Sequence, residues 1–98
     1  VVGILDDKPY RPMLRQLLPL ADRVIATQAK ISRALPAATI AAFAQTVLRD
    51  VTVEPDVASA LNLAMRSAVP GGLTLVAGSL YVVGEVKAAL AQTGVQPG

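Results

Sequence analysis

The chain has 98 residues, of which 53% are apolar and 16% charged, and its formal net charge is +2. This size and composition indicate one globular domain rather than a disordered segment. The basic residues are scattered and aromatic residues make up only 3%, so no nucleic-acid partner is expected. The sequence contains neither cysteine nor histidine. This excludes disulfides, thiolate chemistry and imidazole ligands from these residues and is compatible with a reducing, cytoplasmic location.

The apolar stretch at residues 71–86 is too short for a membrane helix, and Gly78, Ser79 and Gly84 interrupt it. We expect a buried strand and a helix there instead, and no membrane partner. The chain opens on an apolar run without a methionine or a basic leader. We therefore expect no signal peptide, and we expect the chain to be cut from a longer polypeptide.

Strand-like and helix-like patterns alternate along the first half of the chain. Apolar β-type runs predict strands at residues 1–5 and 23–27. Between them a helix is predicted to about residue 18, with Pro12 in its first turn. A second helix is predicted at about residues 36–48, because a proline opens it and apolar residues then recur at spacings of three and four.

The same alternation continues in the second half of the chain. A brief strand is predicted at residues 51–53, and Asp56 is a suitable N-cap for a third helix. The buried stripe of that helix is predicted to consist of Val57, Ala60, Leu61, Ala64 and Met65. A strand at residues 73–77, a helix at about residues 80–92 and a frayed tail at residues 93–98 complete the chain.

This alternation predicts an α/β fold, namely a Rossmann-like, three-layer domain with a mainly parallel sheet and right-handed crossovers. The loops that follow the strands, at residues 6–8, 28–33, 54–56 and 78–79, should then lie at one edge of the sheet. Ligands bind at this edge in open α/β sheets. The polar residues of interest are therefore expected along a single rim.

Two features of this rim suit a negatively charged ligand. Gly78 and Ser79 lie between a predicted strand and a predicted helix, where free backbone N–H groups favour a carboxylate or a phosphate. Ser79 also fits a simple helix N-cap. Arg33 belongs to the loop after the second strand, and a guanidinium binds carboxylates in a bidentate manner. A surface arginine without a ligand is the plainer alternative for Arg33.

Asp6 and Asp7 at the end of the first strand allow a competing interpretation. Response-regulator receiver domains place paired acids there to bind magnesium, but they also need a third carboxylate and a lysine after later strands. Glu54 follows a later predicted strand but lies on a different type of turn, and no lysine follows a fourth or fifth strand. A solvated turn is the other alternative for these acids. The sequence contains neither a nucleophile–base pair nor a GxxxxGKS/T phosphate loop, so no catalytic or metal-binding residue is expected in this segment.

Five separated blocks carry a family resemblance. They are GILDDK at residues 3–8 with ML at 13–14, LADRVIAT at 20–27, SRA at 32–34, VASAL at 57–61 and LVAGSLYVVGE at 75–85. In order and spacing they resemble the C-terminal domain of folylpolyglutamate synthase/dihydrofolate synthase, within the Mur ligase family. The last block is the most specific, and the five together span nearly the whole chain.

The resemblance implies an ATP-dependent ligase. In that family a folate carboxylate is phosphorylated by ATP, and the amino group of glutamate then attacks the acyl phosphate. The phosphate loop, the magnesium ligands and the folate pocket belong to the preceding central domain, so ATP and Mg would be bound mostly outside this chain. The C-terminal domain covers the nucleotide and presents glutamate, and its closure excludes water.

Candidate site residues carry over at individual positions of the resemblance. Arg33 matches the family arginine near the incoming glutamate, and Ser79 matches a hydroxyl in the same region. Asp7 and Lys8 match the first two positions of an Asp-Lys-Asp motif near the nucleotide and the interdomain cleft, while the third position is Pro9. The resemblance leaves open whether the ligase adds the first glutamate to dihydropteroate, extends polyglutamate tails, or does both.

The family domain begins with a strand that ends in Asp-Gly-Ala-His-Asn, and this chain starts after it. We therefore expect a single domain over residues 1–98 that lacks one strand, does not hydrolyse ATP alone and self-associates through the edge or groove left open. Two alternatives are the same domain of a peptidoglycan-precursor ligase and a non-catalytic Rossmann-like binding module. The former usually carries an Asn-Pro-Arg loop, which residues 29–33 do not reproduce.

Overall fold

Strands and helices alternate along the chain, in agreement with the sequence. The computed structural model describes residues 1–5, 8–68, 70–72 and 74–93. In chain order its elements are β1 (Val2–Gly3), α1 (Tyr10–Leu17), β2 (Val24–Ala26), α2 (Ala37–Ala44), β3 (Val51–Val53), α3 (Val57–Ser67), β4 (Ala77–Gly78) and α4 (Leu80–Thr93). A short 3₁₀ helix, Leu18–Leu20, continues α1.

Within the described residues, the four strands form one parallel sheet in the order β3-β2-β1-β4. The connections through α1 and α2 lead away from β1 in one direction, whereas the connection through α3 returns the chain to the other side of β1. This strand order places a topological switch point between β1 and β4, and ligands bind outside the carboxyl ends of strands at such points. The predicted α/β fold with a parallel sheet is confirmed.

Helices cover the sheet on both faces, which gives the three predicted layers. On one face, α1, the 3₁₀ helix and α2 pack against β1 and β2. On the other face, α3 and α4 pack together and α3 also covers β2. Val24 and Ala26 of β2 point to the first face and Ile25 to the second, and all three are buried. This burial on both sides is typical of a central parallel strand and explains its uninterrupted apolar sequence.

The fourth strand lies later in the chain than the sequence predicts. The apolar run indicates residues 73–77, but β4 is Ala77–Gly78. Ala77 lies opposite Val2 in the register of β4 against β1. The predicted start of this strand is therefore wrong for residues 74–76, which are not in a strand, and residue 73 lies outside the described part of the chain.

The first two helices follow the sequence at their starts more closely than at their ends. α1 begins at Tyr10 and contains Pro12 in its first turn, as predicted. α2 ends at Ala44, earlier than the predicted residue 48. After that residue the chain continues in tighter turns, in which Thr46 N–H donates to Phe43 O at 3.0 Å. Tighter bonds of this kind are common where an α-helix ends.

The structure confirms most of the predicted buried stripe of α3, but one of its five residues is exposed. Asp56 caps the helix, since its side chain accepts a hydrogen bond from Ser59 N. The first four residues of the stripe are buried. Met65 is 49% exposed, so its predicted burial is wrong. It adjoins Ala64 but lies outside the stripe that faces the sheet and α4.

α4 confirms the predicted last helix and extends it to Thr93, the first residue of the predicted tail. The remainder of that tail, residues 94–98, lies outside the described part of the chain. None of the helices in the described residues is both long enough and apolar enough to cross a membrane.

Candidate functional site

The carboxyl end of β1 is the point where the predicted rim residues meet. Ser79 N–H donates to Gly3 O at 2.8 Å, and Leu35 N–H donates to Ile4 O at 2.8 Å. The next residue of the chain, Leu5, pairs with Ala34 in an antiparallel bridge. The turn after β4 and the end of the loop after β2 are thus bonded to consecutive backbone positions at the end of β1 and directly after it. The structure therefore places Arg33 and Ser79 at the same edge of the sheet, as the sequence predicts.

Ser79 forms the N-cap of α4. Its hydroxyl oxygen accepts a hydrogen bond from Val82 N–H at 3.1 Å, which satisfies one of the free donors at the helix start. The plainer interpretation of Ser79 as a cap is therefore correct. The cap uses a lone pair of the oxygen and not its proton, so the hydroxyl keeps a donor for a ligand.

Arg33 lies in the centre of a tight turn. Ala34 N–H donates to Ile31 O at 3.2 Å, which closes a β-turn with Ser32 and Arg33 at its two central positions. The first residue of the turn, Ile31, is held because it packs against the apolar cluster between α3 and α4. The last residue of the turn, Ala34, is held because it pairs with Leu5. This turn displays the exposed Arg33 at the rim on a constrained backbone.

The start of the same loop is held by polar contacts that the sequence did not reveal. Thr27 is fully buried, and its hydroxyl donates to Pro55 O at 3.1 Å. The side-chain oxygen of Gln28 accepts a hydrogen bond from Ala37 N–H at 2.9 Å. Gln28 thereby caps α2, whose own N-cap residue, Pro36, has no side chain that can do so. The missing N-cap residue before α2 is the sequence signal that could have identified Gln28.

The loop after β3 adds a carboxylate next to this segment. Asp56 accepts hydrogen bonds from the hydroxyl and the backbone N–H of Ser59, at 2.8 and 2.9 Å. These two bonds, the hydroxyl first, lower the pKa of Asp56 below its ordinary value of 3.8, and Lys30 adds to the effect. Lys30 Nζ lies 3.4 Å from Asp56 Oδ1. Asp56 is thus a helix cap that also contacts the Arg33 loop.

The structure describes only one of the two residues that the resemblance places near the nucleotide. Asp7 lies outside the described residues, as does Asp6. Lys8 is exposed after the end of β1, and its backbone N–H donates to Leu5 O at 3.2 Å. In the part of the chain that the structure describes, no three acidic, histidine or cysteine side chains converge as a metal site would require.

A cavity of about 410 Å³ lies at the amino ends of the strands, between the end of α1 and the end of α3, and another of about 320 Å³ lies between α1 and the β1–β4 pair. Neither is lined by Arg33 or Ser79. Leu17 and Ala77 line both cavities, so the two are adjacent. We call the surface around them the uncovered face, and it consists of Met13, Leu17, Leu20, Leu75 and Ala77. Its outer members are exposed, by 38% for Met13, 83% for Leu20 and 55% for Leu75.

A parallel α/β sheet with a switch point between β1 and β4 defines a Rossmann-like domain, a fold that binds ligands at this edge in other proteins. The family described as Mur ligase, glutamate ligase domain, matches residues 1–80. The chain belongs to this family. The family resemblance predicted from the sequence is thereby confirmed, and the match does not support a receiver module.

The chain is also similar to a solved structure of a larger enzyme. That structure is the bifunctional folylpolyglutamate synthase/dihydrofolate synthase from Yersinia pestis c092, complexed with AMPPNP and Mn ion. The two chains are 30% identical, with a TM-score of 0.83 over 93% of this chain and 21% of the other. This chain therefore spans about a fifth of the length of that relative. No curated protein matches the sequence.

Proposed function

We propose that this chain belongs to the C-terminal domain of an ATP-dependent ligase that adds glutamate to folates or to dihydropteroate through an acyl phosphate. The family match and the similarity to a folylpolyglutamate synthase/dihydrofolate synthase support the reaction class. The observation that carries the assignment is the meeting of two turns at β1. The turns of Arg33 and Ser79 are bonded to Gly3, Ile4 and Leu5, next to the switch point.

The chemistry of these two turns suits an amino acid as ligand. The Arg33 guanidinium can bind a carboxylate of glutamate with two parallel hydrogen bonds. The hydroxyl of Ser79 provides a further donor beside the positive end of α4. Holding glutamate in this way orients its amino group toward the acyl phosphate. Orientation of reactants can supply a large part of the rate enhancement of such a step.

ATP and its magnesium ion are held, in this proposal, mainly by the domain that precedes this one in the ligase. When bound there, ATP supplies the phosphoryl group that activates the folate carboxylate. This chain contains no GxxxxGKS/T loop, and its contribution is to cover the nucleotide. Asp7 and Lys8, after β1, are the residues proposed to face the nucleotide and the interdomain cleft.

Further expectations concern the chain on its own. We expect the purified 98-residue chain to show no ATP hydrolysis, and measurable turnover would contradict this. We expect the ligase to work in the cytoplasm with glutamate, folate and ATP as its small-molecule partners, which cell fractionation would test.

We also propose that the isolated chain self-associates through the uncovered face. Among the described residues, β4 pairs only with β1, so its outer edge is open. Leu75 is 55% exposed, and it lines the larger cavity together with Ala77. Exposed apolar side chains next to an open strand edge favour pairing with a second copy.

The binding site is tested by kinetics of the full-length ligase. Arg33→Ala should raise the KM for glutamate by about 10- to 150-fold, as expected for loss of a charge-assisted bidentate contact. The KM for ATP should change little. Arg66→Ala is a suitable control, because Arg66 is an exposed arginine in the last turn of α3, far along the helix from the rim. Equal effects of Arg33→Ala on both substrates would contradict the assignment.

A further inference from the structure

Glu85, in the second turn of α4, contacts the loop that carries Arg33. Its Oε2 accepts a hydrogen bond from the backbone N–H of Lys30 at 2.8 Å, across 55 residues of sequence. A carboxylate that accepts from a backbone amide forms a charge-assisted hydrogen bond, roughly twice as strong as a neutral one. Glu85 is half-buried, so water competes for this bond less than it does at a fully exposed side chain.

Apolar contacts flank the bond on both sides. Ala29 is buried and Ile31 partly buried in the cluster that also contains Val82 and Val86 of α4. The three successive residues 29–31 are therefore all seated near α4. The remaining contact, between Lys30 Nζ and Asp56, joins two well-exposed side chains at 3.4 Å, and such pairs contribute little. Among the described residues, the hydrogen bond to Glu85 is therefore the directional polar contact that holds residues 29–31 against α4.

This contact lies directly before the Arg33 turn. The turn starts at Ile31, the residue after Lys30, and ends at Ala34, which pairs with Leu5. α4 therefore carries Glu85 in its second turn and the Ser79 cap at its start. A single helix links the position of Ser79 to the position of the Arg33 backbone.

We propose that Glu85 is a positioning residue that holds the Arg33 turn in register with Ser79 and thereby sets the affinity for the amino-acid substrate. This inference rests on the proposed function for the identity of the ligand. The contact between Glu85 and Lys30 does not depend on the proposed function. Its test therefore has one arm that measures the contact and one that measures substrate affinity.

The first arm measures amide hydrogen exchange of Lys30 in the 98-residue chain. In Glu85→Ala the Lys30 N–H loses its acceptor, so its exchange should become faster by about 5- to 30-fold while exchange in β2 stays unchanged. Glu85→Gln keeps an acceptor oxygen but not its charge, so its exchange should lie between that of the parent chain and that of Glu85→Ala. Lys87→Ala changes an exposed residue of the same helix and should have no effect on Lys30. Unchanged exchange in Glu85→Ala would overturn the inference.

The second arm measures steady-state kinetics of the full-length ligase. Glu85→Ala should raise the KM for the amino acid by about 5- to 30-fold, with the KM for ATP and kcat within about twofold. Glu85→Gln should have an intermediate KM for the amino acid, because its amide oxygen still accepts the hydrogen bond but without a charge. Faster exchange without a change in this KM would overturn the positioning role and leave the proposed function intact. If Arg33→Ala also leaves the KM for the amino acid unchanged, the proposed function is wrong. That outcome does not depend on the hydrogen-exchange result.

Discussion

Gly78 lies directly against the backbone of Gly3, its partner across the β1–β4 pair. A Cβ atom on Gly78 would fall well inside contact distance of the Gly3 carbonyl oxygen and 2.8 Å from its carbonyl carbon. Gly78 also has a φ of +119°, which residues with side chains rarely adopt. The two strands can therefore approach only because Gly78 lacks a side chain. This approach brings Ser79 N–H onto Gly3 O at the rim.

Gly78→Ala should therefore be strongly destabilising. Backbone strain and overpacking each cost about 1–3 kcal/mol, so we expect the free energy of unfolding to fall by roughly 2–4 kcal/mol. Urea denaturation followed by circular dichroism measures this change. A loss below about 1 kcal/mol would show that β4 can separate from β1 at little cost.

Gly84→Ala is the matched control for that variant and should have the opposite sign. Gly84 lies within α4, and a Cβ atom there would meet nothing within 4 Å. Alanine restricts the unfolded chain more than glycine and favours a helix, so stability should rise by about 0.5–1 kcal/mol. The same denaturation measurement tests it, and a destabilised variant would contradict the open surroundings of Gly84.

The cap of α3 predicts a pH dependence of stability. Because hydrogen bonds from Ser59 lower the pKa of Asp56, the ionised carboxylate stabilises the folded chain above its ordinary pKa of 3.8. This contribution is lost as the pH falls through the lower pKa of the folded state. Asp56→Asn keeps a cap but does not titrate, so its Tm should fall less steeply than that of the parent chain between about pH 5 and pH 2. Parallel Tm profiles for the two proteins would refute this role of Asp56.

Self-association through the uncovered face is tested by sedimentation of the 98-residue chain. The parent chain should show a concentration-dependent increase in mass, and Leu75→Glu should reduce it by placing a charge on the apolar surface. Met65→Glu is the control, because Met65 is about as exposed as Leu75 but lines neither cavity. A chain that stays monomeric at every concentration, or a control that acts like Leu75→Glu, would rule out this interface.

The fold could be predicted because its signals are local. β2 is a continuous apolar run, and Asp56 precedes a helix whose apolar residues repeat at three and four. The position of β4 could not be predicted in the same way, because its register depends on Val2 of a distant strand. The exposure of Met65 depends on how much of α3 is covered by α4. The apolar periodicity of α3 alone does not predict this coverage.

The candidate site likewise has features that the sequence predicts and features that depend on contacts between distant residues. The common edge for Arg33 and Ser79 follows from the rule that carboxyl ends of parallel strands lie together. The residues that brace this edge escape such a rule. Glu85 contacts Lys30 across 55 residues, and Gln28 caps a helix that begins well after it. The lack of a capping side chain directly before α2 indicates that a cap must come from elsewhere, but only the packing of α2 and α4 identifies Gln28 and Glu85 as the residues that make these contacts.

The central claim is that Arg33 binds a carboxylate of the incoming glutamate. The most direct measurement compares kcat/KM of the full-length ligase for glutamate and for its two monoamides, glutamine and isoglutamine, in the parent enzyme and in Arg33→Ala. We expect the parent to prefer glutamate over both, and Arg33→Ala to lose about 10- to 150-fold of the preference against one monoamide, which identifies the bound carboxylate. If Arg33→Ala keeps the full preference against both monoamides, Arg33 does not bind either carboxylate and the account is wrong.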